Sequence, residues 1–346
     1  METLKVMDYQ EVLAAFRALS LRQQGQMIAE ITEKPQKPDY VSLRRTQLMN
    51  KQIGCPHCQS HSYVRFGKDK GSARYRCKSC KRTFTEHTGT WMAGLHRKEL
   101  VNQYIELMHQ GKSLDKIKNE LHINKKTAFD WRHKILASIE DSQQSKFSGI
   151  VESDETFFLQ SDKGKRKGLD RPARKRGGHS SSRGISKDQV AVIVTADRKG
   201  ALDMTVATMG RISKKDIKKA IGNRIEKDAV LCSDGHVSYK GFAKDKHLEL
   251  VVLRADLKQF VKKGVYHIQN VNSLHNRVKK WIDSTFWGVS TKYLQNYLSW
   301  YRVQETLKNS ARPVEDFVRC SIIDGQAKER FRSISENYRM LIATHL

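Results

Sequence analysis

The chain has 346 residues, enough for two or three domains, and 38% of them are hydrophobic, which allows a buried core. Its 64 lysines and arginines against 37 acidic residues give a formal net charge of +27, which favours nucleic acid as a partner over a ribosome-like or anionic-membrane surface. No apolar run approaches the roughly 20 residues that span a bilayer, and the N-terminus has no apolar signal-peptide core, so we expect a cytoplasmic, bacterial-type protein that is nucleoid-associated when bound to DNA.

Residues 1–50 are predicted to form an N-terminal helical segment. Apolar residues recur at helical spacing over residues 8–32, and Asp8 and Ser20 are candidate N-caps. The prolines and lysines of residues 34–38 indicate a linker. Because the segment has no chemical motif, we predict only a small helical pair that binds DNA or dimerises.

Residues 51–90 contain two CxxC pairs, formed by Cys55, Cys58, Cys77 and Cys80. Each pair can direct two thiolates at one ion, and four cysteines complete a tetrahedral zinc site without an open position. We therefore predict a zinc ribbon whose Zn²⁺ is structural and not catalytic. Four unrelated buried cysteines are the alternative, and His57 or His61 could replace one ligand. Six cysteines in a cytoplasmic protein do not indicate a disulfide framework.

Residues 91–145 are predicted to form a helix-turn-helix DNA-binding domain. Helices are expected over residues 99–109, 114–122 and 125–139, with Ser113 as an N-cap and a tight turn between the last two helices. A short helix, a turn and a longer helix are typical of a DNA-reading motif, and an ordinary helical hairpin is the alternative. The residues expected at the exposed start of the last helix are Lys125, Lys126, Thr127 and Asp130.

Residues 146–310 alternate between strands and helices, which predicts an α/β fold with a sheet covered by helices. Strands are expected at residues 150–160, 189–196, 202–208, 229–233 and 248–253, and helices at residues 213–223, 236–244, 271–282 and 291–303. Three strands followed by helix, strand, helix, strand and helix is the order of an RNase H-like catalytic domain. The basic loop 160–187, with ten lysines and arginines, is expected to be mobile and to contact DNA. Residues 311–346 are expected to form a helical tail.

Two aspartates each end an apolar run, and a polar residue on a later helix completes a pattern for metal binding. Asp154 follows residues 149–153, and Asp234 follows residues 229–233. Carboxylates at strand ends and a side-chain oxygen from a helix can hold divalent metal for phosphodiester chemistry. The third position is Asn272, where the usual pattern of this kind has Glu. Lys279 lies two helical turns later on the same face, where a cation can hold a phosphate.

The chain resembles the insertion-sequence transposases of the ISXO2-like group, within the wider DDE transposase and integrase superfamily. The resemblance covers nearly everything after residue 50 and is carried by residues 153–156, 233–235 with Tyr239, 267–273 with His275 and Lys279, and 288–294. It implies a DNA transposase that binds terminal inverted repeats, cleaves DNA and transfers 3′ ends. It also implies two Mg²⁺ (or Mn²⁺) ions at Asp154, Asp234 and Asn272, Lys279 near the cut DNA end, and a homodimer or higher assembly on transposon-end and target DNA.

Several neighbours of these residues are weaker candidates. Asn270 is the nearest rival for the third ligand, but on a helix it would face elsewhere. Strand alternation is expected to turn Glu152 and Glu155 away from the first aspartate. His267 and His275 could orient DNA or cap the helix, and structural roles are equally open to them. A non-catalytic zinc-ribbon and helix-turn-helix regulator derived from a transposase is the alternative function, and a simple RNase H-type nuclease would not need the large DNA-reading N-terminal half.

Overall fold

The computed structural model describes residues 9–32, 40–139, 146–165, 167–169, 178–323 and 327–343, and the chain divides into two units, residues 1–39 and 40–346. In its described part the first unit consists of helices α1 (Tyr9–Ala18) and α2 (Leu21–Thr32). Ser20 Oγ accepts a hydrogen bond from the backbone N–H of Gln23, and the Ser20 N–H donates to the Gln23 side chain at 3.1 Å. This reciprocal pair confirms the predicted cap at Ser20. The predicted cap at Asp8 and the predicted linker lie outside the described residues.

The second unit begins with a helix and a small antiparallel sheet. These elements are α3 (Tyr40–Met49), β1 (Tyr63–Asp69), β2 (Ser72–Cys77) and β3 (Thr83–Thr85), and the strands are arranged in chain order. Tyr63 and Tyr75 contact the ring of Phe84 at centroid distances of 5.3 and 5.5 Å. Leu48 of α3 packs in the same small core, so the helix and the sheet form one body.

Three helices follow, α4 (Val101–His109), α5 (Leu114–Leu121) and α6 (Lys125–Ser138). The side chain of Ser113 accepts the backbone N–H of Lys116 at 3.2 Å, and the side chain of Asn124 accepts that of Thr127 at 2.7 Å. Both residues are therefore N-caps. His122 ends α5 in the left-handed conformation, with φ of 50°. The three predicted helices are confirmed with ends shifted by one or two residues.

A five-stranded mixed sheet forms the centre of the second unit. Its strands are β4 (Ile150–Leu159), β5 (Gln189–Asp197), β6 (Leu202–Met209), β7 (Val230–Ser233) and β8 (Glu249–Val252). They lie in the order β6-β5-β4-β7-β8; the pairs β4–β5 and β5–β6 are antiparallel, and the pairs β4–β7 and β7–β8 are parallel. The predicted strands and the α/β class are confirmed.

Helices cover both faces of this sheet, namely α7 (Lys214–Ile221), α8 (Val237–Lys246), α9 (Gln269–Phe286) and α10 (Leu294–Leu307). Successive residues of β5 point to opposite faces. Ile193 packs in a cluster with residues of α7 and α8, whereas Val192 and Val194 pack with residues of α9 and α10. Neighbouring residues of β4 likewise point to opposite faces of the sheet. Their side chains therefore lie near different helices, which matters for the site.

The last two helices, α11 (Pro313–Ile323) and α12 (Ala327–Ala343), pack against α6, and α11 also packs against α3. Arg44 of α3 is buried and donates a hydrogen bond to the carbonyl oxygen of Ile322. Helix α3, which the sequence did not predict, therefore lies in the second unit although the predicted N-terminal segment extends to residue 50. Within the described residues, none of the helices combines the length and the apolarity of a membrane span.

A buried ion pair joins the helical region to the sheet. Asp203 of β6 pairs with Arg224 at 2.6 Å and with Arg302 of α10 at 2.9 Å. Arg302 also donates a hydrogen bond to the carbonyl oxygen of Ile139, at the end of α6, at 3.1 Å. Because two guanidinium groups satisfy the buried carboxylate, the pair can hold α6, β6 and α10 in a fixed arrangement.

Candidate metal centre and active site

Four cysteine sulfurs meet beside the three-stranded sheet. The Sγ atoms of Cys55, Cys58, Cys77 and Cys80 all lie within 4.8 Å of one another. The sulfurs of Cys55 and Cys80 are 3.8 Å apart, and those of Cys58 and Cys77 are 3.6 Å apart. Sulfurs at about 2.3 Å from a tetrahedral zinc ion would be about 3.8 Å apart. The cluster therefore has the size of a four-cysteine zinc site.

The backbone donates hydrogen bonds to two of the sulfurs, although burial raises the pKa of the Cys55 thiol to about 12. The N–H groups of His57 and Cys80 point to the sulfurs of Cys55 and Cys77, each at 3.5 Å. The hydrogen bond from Cys80 is the main cause that lowers the pKa of Cys77 to about 6. The rings of His57 and His61 hydrogen-bond backbone carbonyl oxygens instead, at 3.3 and 2.8 Å, so the sulfurs are the better ligand set.

The two predicted aspartates lie level with each other in the sheet, but the expectation that both end a strand is wrong for Asp154, which lies in the middle of β4, whereas Asp234 directly follows β7. Glu152 of β4 pairs with Cys232 of β7, and Asp154 and Asp234 each come two residues later. Asp154 is half-buried and Asp234 is exposed. Burial raises the pKa of Asp154 to about 8, and the negative charges of Glu155 and Asp234 act in the same direction. The structure thus brings the two predicted carboxylates within electrostatic reach of each other.

A glycine turn fixes the direction of Asp234. Gly235 has φ of +87°, and a Cβ atom at this position would lie 2.3 Å from Cγ1 of Val252 on β8. The Asp234 side chain accepts the backbone N–H of His236 at 2.9 Å, which closes the turn into α8. Glycine is required here both by the left-handed backbone and by the close approach to β8.

Glu155 was expected to point away from Asp154, and its side chain is indeed on the other face of β4. It nevertheless belongs to the same electrostatic cluster, because burial and the charge of Asp234 raise its pKa to about 7. Its Oε2 atom is buried and makes no hydrogen bond to the residues that the structure describes. The ring of Tyr239 lies near this group, and its hydroxyl is 3.3 Å from Oγ of Ser153. Strand alternation alone did not identify this third carboxylate.

Helix α9 presents one face to Asp154. Asn272, His275 and Lys279 follow one another at spacings of three and four residues. His275 hydrogen-bonds the backbone of Asp154, and burial followed by the charge of Lys279 lowers the pKa of its ring to about 4. Burial also lowers the pKa of Lys279, whereas Asn272 is exposed at the start of the helix. Asn272 and Lys279 therefore both belong to α9 and lie two turns apart along it.

The expectation that Glu152 points away from Asp154 is wrong. The two residues are two positions apart, so they share one face of β4. Glu152 is 1% exposed, and its Oε2 atom accepts the backbone N–H groups of Asn270 and Val271 at 3.0 and 3.1 Å. Helix α9 has no side-chain cap of its own at Ile268, so Glu152 supplies the cap from the neighbouring strand.

The same carboxylate binds three further groups. Its Oε1 atom accepts the side-chain amide of Asn270 at 2.9 Å, pairs with Arg198 at 2.7 Å and lies 3.5 Å from the ring of His267. His267 in turn accepts the backbone N–H of Gln269 at 3.3 Å, which confirms its predicted capping alternative. Because the Asn270 side chain is bound to Glu152, it is a support for the helix, whereas Asn272, about half a turn further, is exposed. We call Glu152, Arg198, His267 and Asn270 the helix clamp.

Residues 146–302 match the family of the ISXO2-like transposase domain. We call residues 146–302 the transposase domain after this similarity. A curated relative, described as an uncharacterized protein in transposable element ISH50 of Halobacterium salinarum, is 27% identical over 277 residues, which cover 77% of this chain and 91% of that protein. The transposase domain contains the predicted Asp154, Asp234, Asn272 and Lys279, and the cysteine cluster lies before it.

Two solved structures of Mos1 transposase are also similar over most of the chain. A pre-cleavage Mos1 transpososome has 10% sequence identity and a TM-score of 0.20, and covers 90% of this chain and 95% of its own. The Mos1 strand transfer complex has 11% identity and a TM-score of 0.20, with 93% and 98% covered. A TM-score of 0.20 is too low to relate the fold or the chemistry of the transposase domain to these structures.

The motif at residues 288–294 of the transposase domain has a structural role. Thr291 and Ser161, which follows β4, exchange two hydrogen bonds at 2.8 and 2.9 Å. Lys163, at the start of the predicted basic loop, donates to the carbonyl oxygens at the end of α9, including that of Gly288 at 2.9 Å. Lys163 is therefore a C-terminal cap of α9 and not a free DNA contact. Residues 166 and 170–177 of the loop lie outside the described residues.

The residues predicted to read DNA lie at the start of α6. Lys125 and Lys126 are exposed as expected, whereas Thr127 and Asp130 are half-buried. Lys125 pairs with Asp115 of α5 at 2.9 Å. Thr127 and Asp130 line a cavity of about 370 Å³ whose other lining residues include His96, Arg97 and Lys134.

Proposed function

We propose that the chain is a DNA transposase whose RNase H-like domain cleaves DNA and transfers its 3′ ends with two Mg²⁺ ions. The observation that carries the proposal is that Asp154, in the middle of β4, and Asp234, directly after the parallel strand β7, lie near each other, and that His275 of α9 hydrogen-bonds the backbone of Asp154. The strand order β6-β5-β4-β7-β8, in which only β5 runs antiparallel to the other four strands, supports the same reading. The match of residues 146–302 to a transposase domain family supports the reaction class.

The donor atoms of the proposed site fit a hard divalent cation. Mg²⁺ prefers oxygen ligands and keeps several waters, so two or three protein groups suffice. Asp154 and Glu155 have raised pKa values because buried carboxylates stand near other negative charges, and Oε2 of Glu155 is buried without a hydrogen bond among the described residues. A cation at this edge of the sheet would compensate that excess of negative charge.

Each residue then has a definite task. Asp154 and Asp234 would hold the ions, and Asn272 would add a neutral amide oxygen. When bound, the ions activate the attacking oxygen and stabilise the leaving oxygen of an in-line displacement at phosphorus. Lys279 would hold a phosphate near the cut end, and its partial burial strengthens that attraction. Because Asn272 is neutral, the scissile phosphate would supply charge that the protein lacks.

The regions before the transposase domain would bind the DNA. We propose that residues 51–90 form a zinc ribbon, that residues 91–145 form a helix-turn-helix domain, and that both contact the terminal inverted repeats. The exposed Lys125 and Lys126 at the start of α6 and the net charge of +27 support this assignment. Two transposon ends must be brought together for transfer, so the active complex would contain at least two chains.

The test compares cleavage with binding in an Asp154→Asn variant. The DNA is a duplex that ends in the inverted repeat flanking the gene. Asp154→Asn should reduce cleavage and strand transfer about 10⁴-fold and leave end binding unchanged, because shape is kept while a metal ligand is lost. Asp245→Asn is the matched control, since Asp245 is an exposed carboxylate of α8 paired with Lys214. Strand transfer by Asp154→Asn would refute the assignment. Binding without any cleavage by the unmodified chain would favour a DNA-binding regulator.

A further inference from the structure

A loop beside the proposed active site exposes large apolar side chains. Residues 254–266 connect β8 to α9, and the exposed fractions of Leu257, Phe260, Val261 and Val265 are 57%, 55%, 43% and 51%. Isolated bridges between Arg254 and Gln259 and between Lys262 and Tyr266 give the loop a defined hairpin-like form. An apolar patch of this kind on a structured loop is a feature of interaction surfaces.

Both ends of the loop are attached next to the proposed metal ligands. The N–H of Leu253 donates to the carbonyl oxygen of Ser233 at 2.8 Å, immediately before Asp234. At the other end, Arg198 of the helix clamp contacts the carbonyl oxygen of Val265 and the ring of His267. Because β4, β7 and β8 are parallel, the loop leaves the sheet at the edge where Asp154 and Asp234 lie.

The charge of the loop identifies the kind of partner. Its basic residues are Arg254, Lys258, Lys262 and Lys263, against the single acid Asp256, which gives a net charge of +3. Asp256 is already paired with Arg254 at 2.5 Å. Apolar side chains between lysines match a nucleic acid, in which stacked bases lie between two rows of phosphates. A membrane or an apolar protein surface would not explain why this patch lies beside a phosphodiester site.

A groove next to the apolar patch could hold a nucleotide. It has a volume of about 480 Å³ and is lined by Leu250, Val251, Val252, Lys262, Lys263 and Tyr266. The strand β8 forms one wall and is the edge strand of the sheet. An aromatic ring and two lysines are a suitable set for stacking a base and holding its phosphate.

We propose that the loop of residues 254–266 opens the DNA duplex at the reacting end. Phe260 and Val261 enter between the last base pairs, the lysines bind the flanking phosphates, and the displaced nucleotide occupies the groove beside Tyr266. The proposal rests on the proposed function, since it assumes that the DNA end lies at Asp154 and Asp234. Opening the end would let the single reacting strand approach the metal ligands.

The experiment measures base unstacking separately from cleavage. The probe is a duplex that ends in the flanking inverted repeat, with 2-aminopurine beside the cleavage junction, in Ca²⁺ to allow binding without reaction. The unmodified chain and Asp154→Asn should both raise the fluorescence severalfold, and a Phe260→Ala, Val261→Ala double variant should not. An unchanged rise in the double variant would overturn the proposal. Because fluorescence does not require catalysis, activity of Asp154→Asn would refute only the proposed function.

Cleavage supplies the second readout, with Mg²⁺ in place of Ca²⁺. The double variant should cut the fully paired duplex about ten- to a hundredfold more slowly, and a duplex with unpaired bases at the junction should restore its rate. Met340→Ala, which shortens an exposed side chain on α12, is the control and should behave as the unmodified chain on both substrates. An unchanged ratio of the two rates in the double variant would contradict the proposal. If the unmodified chain dimerises without DNA and the double variant does not, the apolar patch binds a second copy of the chain and the proposal is overturned.

Discussion

The two proposed metal centres of this protein differ in what holds their ligands in place. The four cysteines come from two short pairs in one small domain, and their sulfurs already lie at the spacing of a zinc tetrahedron. The proposed oxygen centre takes Asp154, Asp234 and Asn272 from two strands and a helix that are far apart in the chain. Its geometry depends on tertiary contacts, chiefly on the helix clamp at the start of α9.

This difference has an energetic consequence. A four-cysteine site is closed, and the metal contributes to the folding of the small domain around it. The carboxylate site is open, and its raised pKa values show that Asp154 and Glu155 are unfavourable as charged groups without a cation. Removing zinc should therefore unfold the small domain around the four cysteines. Replacing a carboxylate of the oxygen centre should instead stabilise the protein when no metal is bound there.

The largest effect is expected for Cys77→Ser. Structural zinc contributes about 10–16 kcal/mol of binding free energy in small domains, so loss of one ligand should unfold residues 51–90. We expect zinc content to fall from one ion per chain to none, and amide hydrogen exchange to increase in β1, β2 and β3. Cys320→Ala is the control, because Cys320 is buried outside the cluster and should leave zinc bound. Retention of zinc by Cys77→Ser would contradict the four-cysteine assignment.

Loss of the helix clamp should have the next largest effect. Glu152→Ala leaves the first N–H groups of α9 and Arg198 without their acceptor, which should cost about 3 kcal/mol of unfolding free energy. Strand transfer should fall about ten- to a hundredfold while end binding is kept, because the start of α9, which includes Asn272, is no longer fixed to β4. Glu152→Gln retains one acceptor oxygen and should be intermediate. Equal losses of binding and transfer would indicate a general folding defect instead.

Removing the charge of Asp154 should stabilise the metal-free protein. Its folded pKa is raised from 3.8 to about 8, so the folded state binds this proton more tightly than the unfolded chain does. Stability from this group is present below pH about 4 and is lost as pH rises towards 8. Asp154→Asn should therefore be more stable at pH 8 by about 2 kcal/mol, a value reduced by the partial solvent access of the site.

Urea unfolding at pH 5 and pH 8 tests this expectation, in buffer without Mg²⁺ and with zinc retained. The advantage of Asp154→Asn should shrink at pH 5, and added Mg²⁺ should reverse it at pH 8. Asp245→Asn should show neither change. A variant that is less stable than the unmodified chain at pH 8 would contradict the buried-charge account.

The smallest effect is expected for Asn272→Glu. A third carboxylate adds a negative charge to the oxygen centre, so Mn²⁺ affinity without DNA should increase about tenfold. Asn272→Gln keeps a neutral amide and is the matched control, for which no gain is expected. The measurement is calorimetric titration of Mn²⁺ into the zinc-loaded protein. No gain for Asn272→Glu would mean that residue 272 does not face the metal.

The sequence predicted the elements of the sheet well, because each has a strong local signal. The alternating apolar residues of β5 and the N-cap at Ser113 predict a strand and a helix to within one or two residues of their observed ends. Helix α3 was missed because its buried residues include Arg44, which a sequence pattern counts as a surface residue. Its partner, the carbonyl oxygen of Ile322, is distant in the chain and cannot be inferred from local spacing.

The candidate site was predicted in part. Apolar runs and helical spacing predicted that Asp154 and Asp234 belong to neighbouring strands and that Asn272 and Lys279 belong to one helix, since these positions depend on local structure alone. The direction of Glu152 follows from local structure, because positions two apart on a strand share a face, so Glu152 and Asp154 point to the same side of β4. Glu155 could not be found in this way, because it enters the cluster through burial and through the charge of Asp234.

The central claim is that Asp154 and its neighbours form an oxygen centre for divalent metal that DNA completes. The most direct measurement is calorimetric titration of Mn²⁺ into the zinc-loaded protein, with and without transposon-end duplex, after subtraction of Mn²⁺ binding to the duplex alone. We predict tighter binding with DNA, and loss of this binding in Asp154→Asn. Equal affinities with and without DNA would contradict completion of the site by the scissile phosphate, and unchanged binding in Asp154→Asn would contradict the site itself.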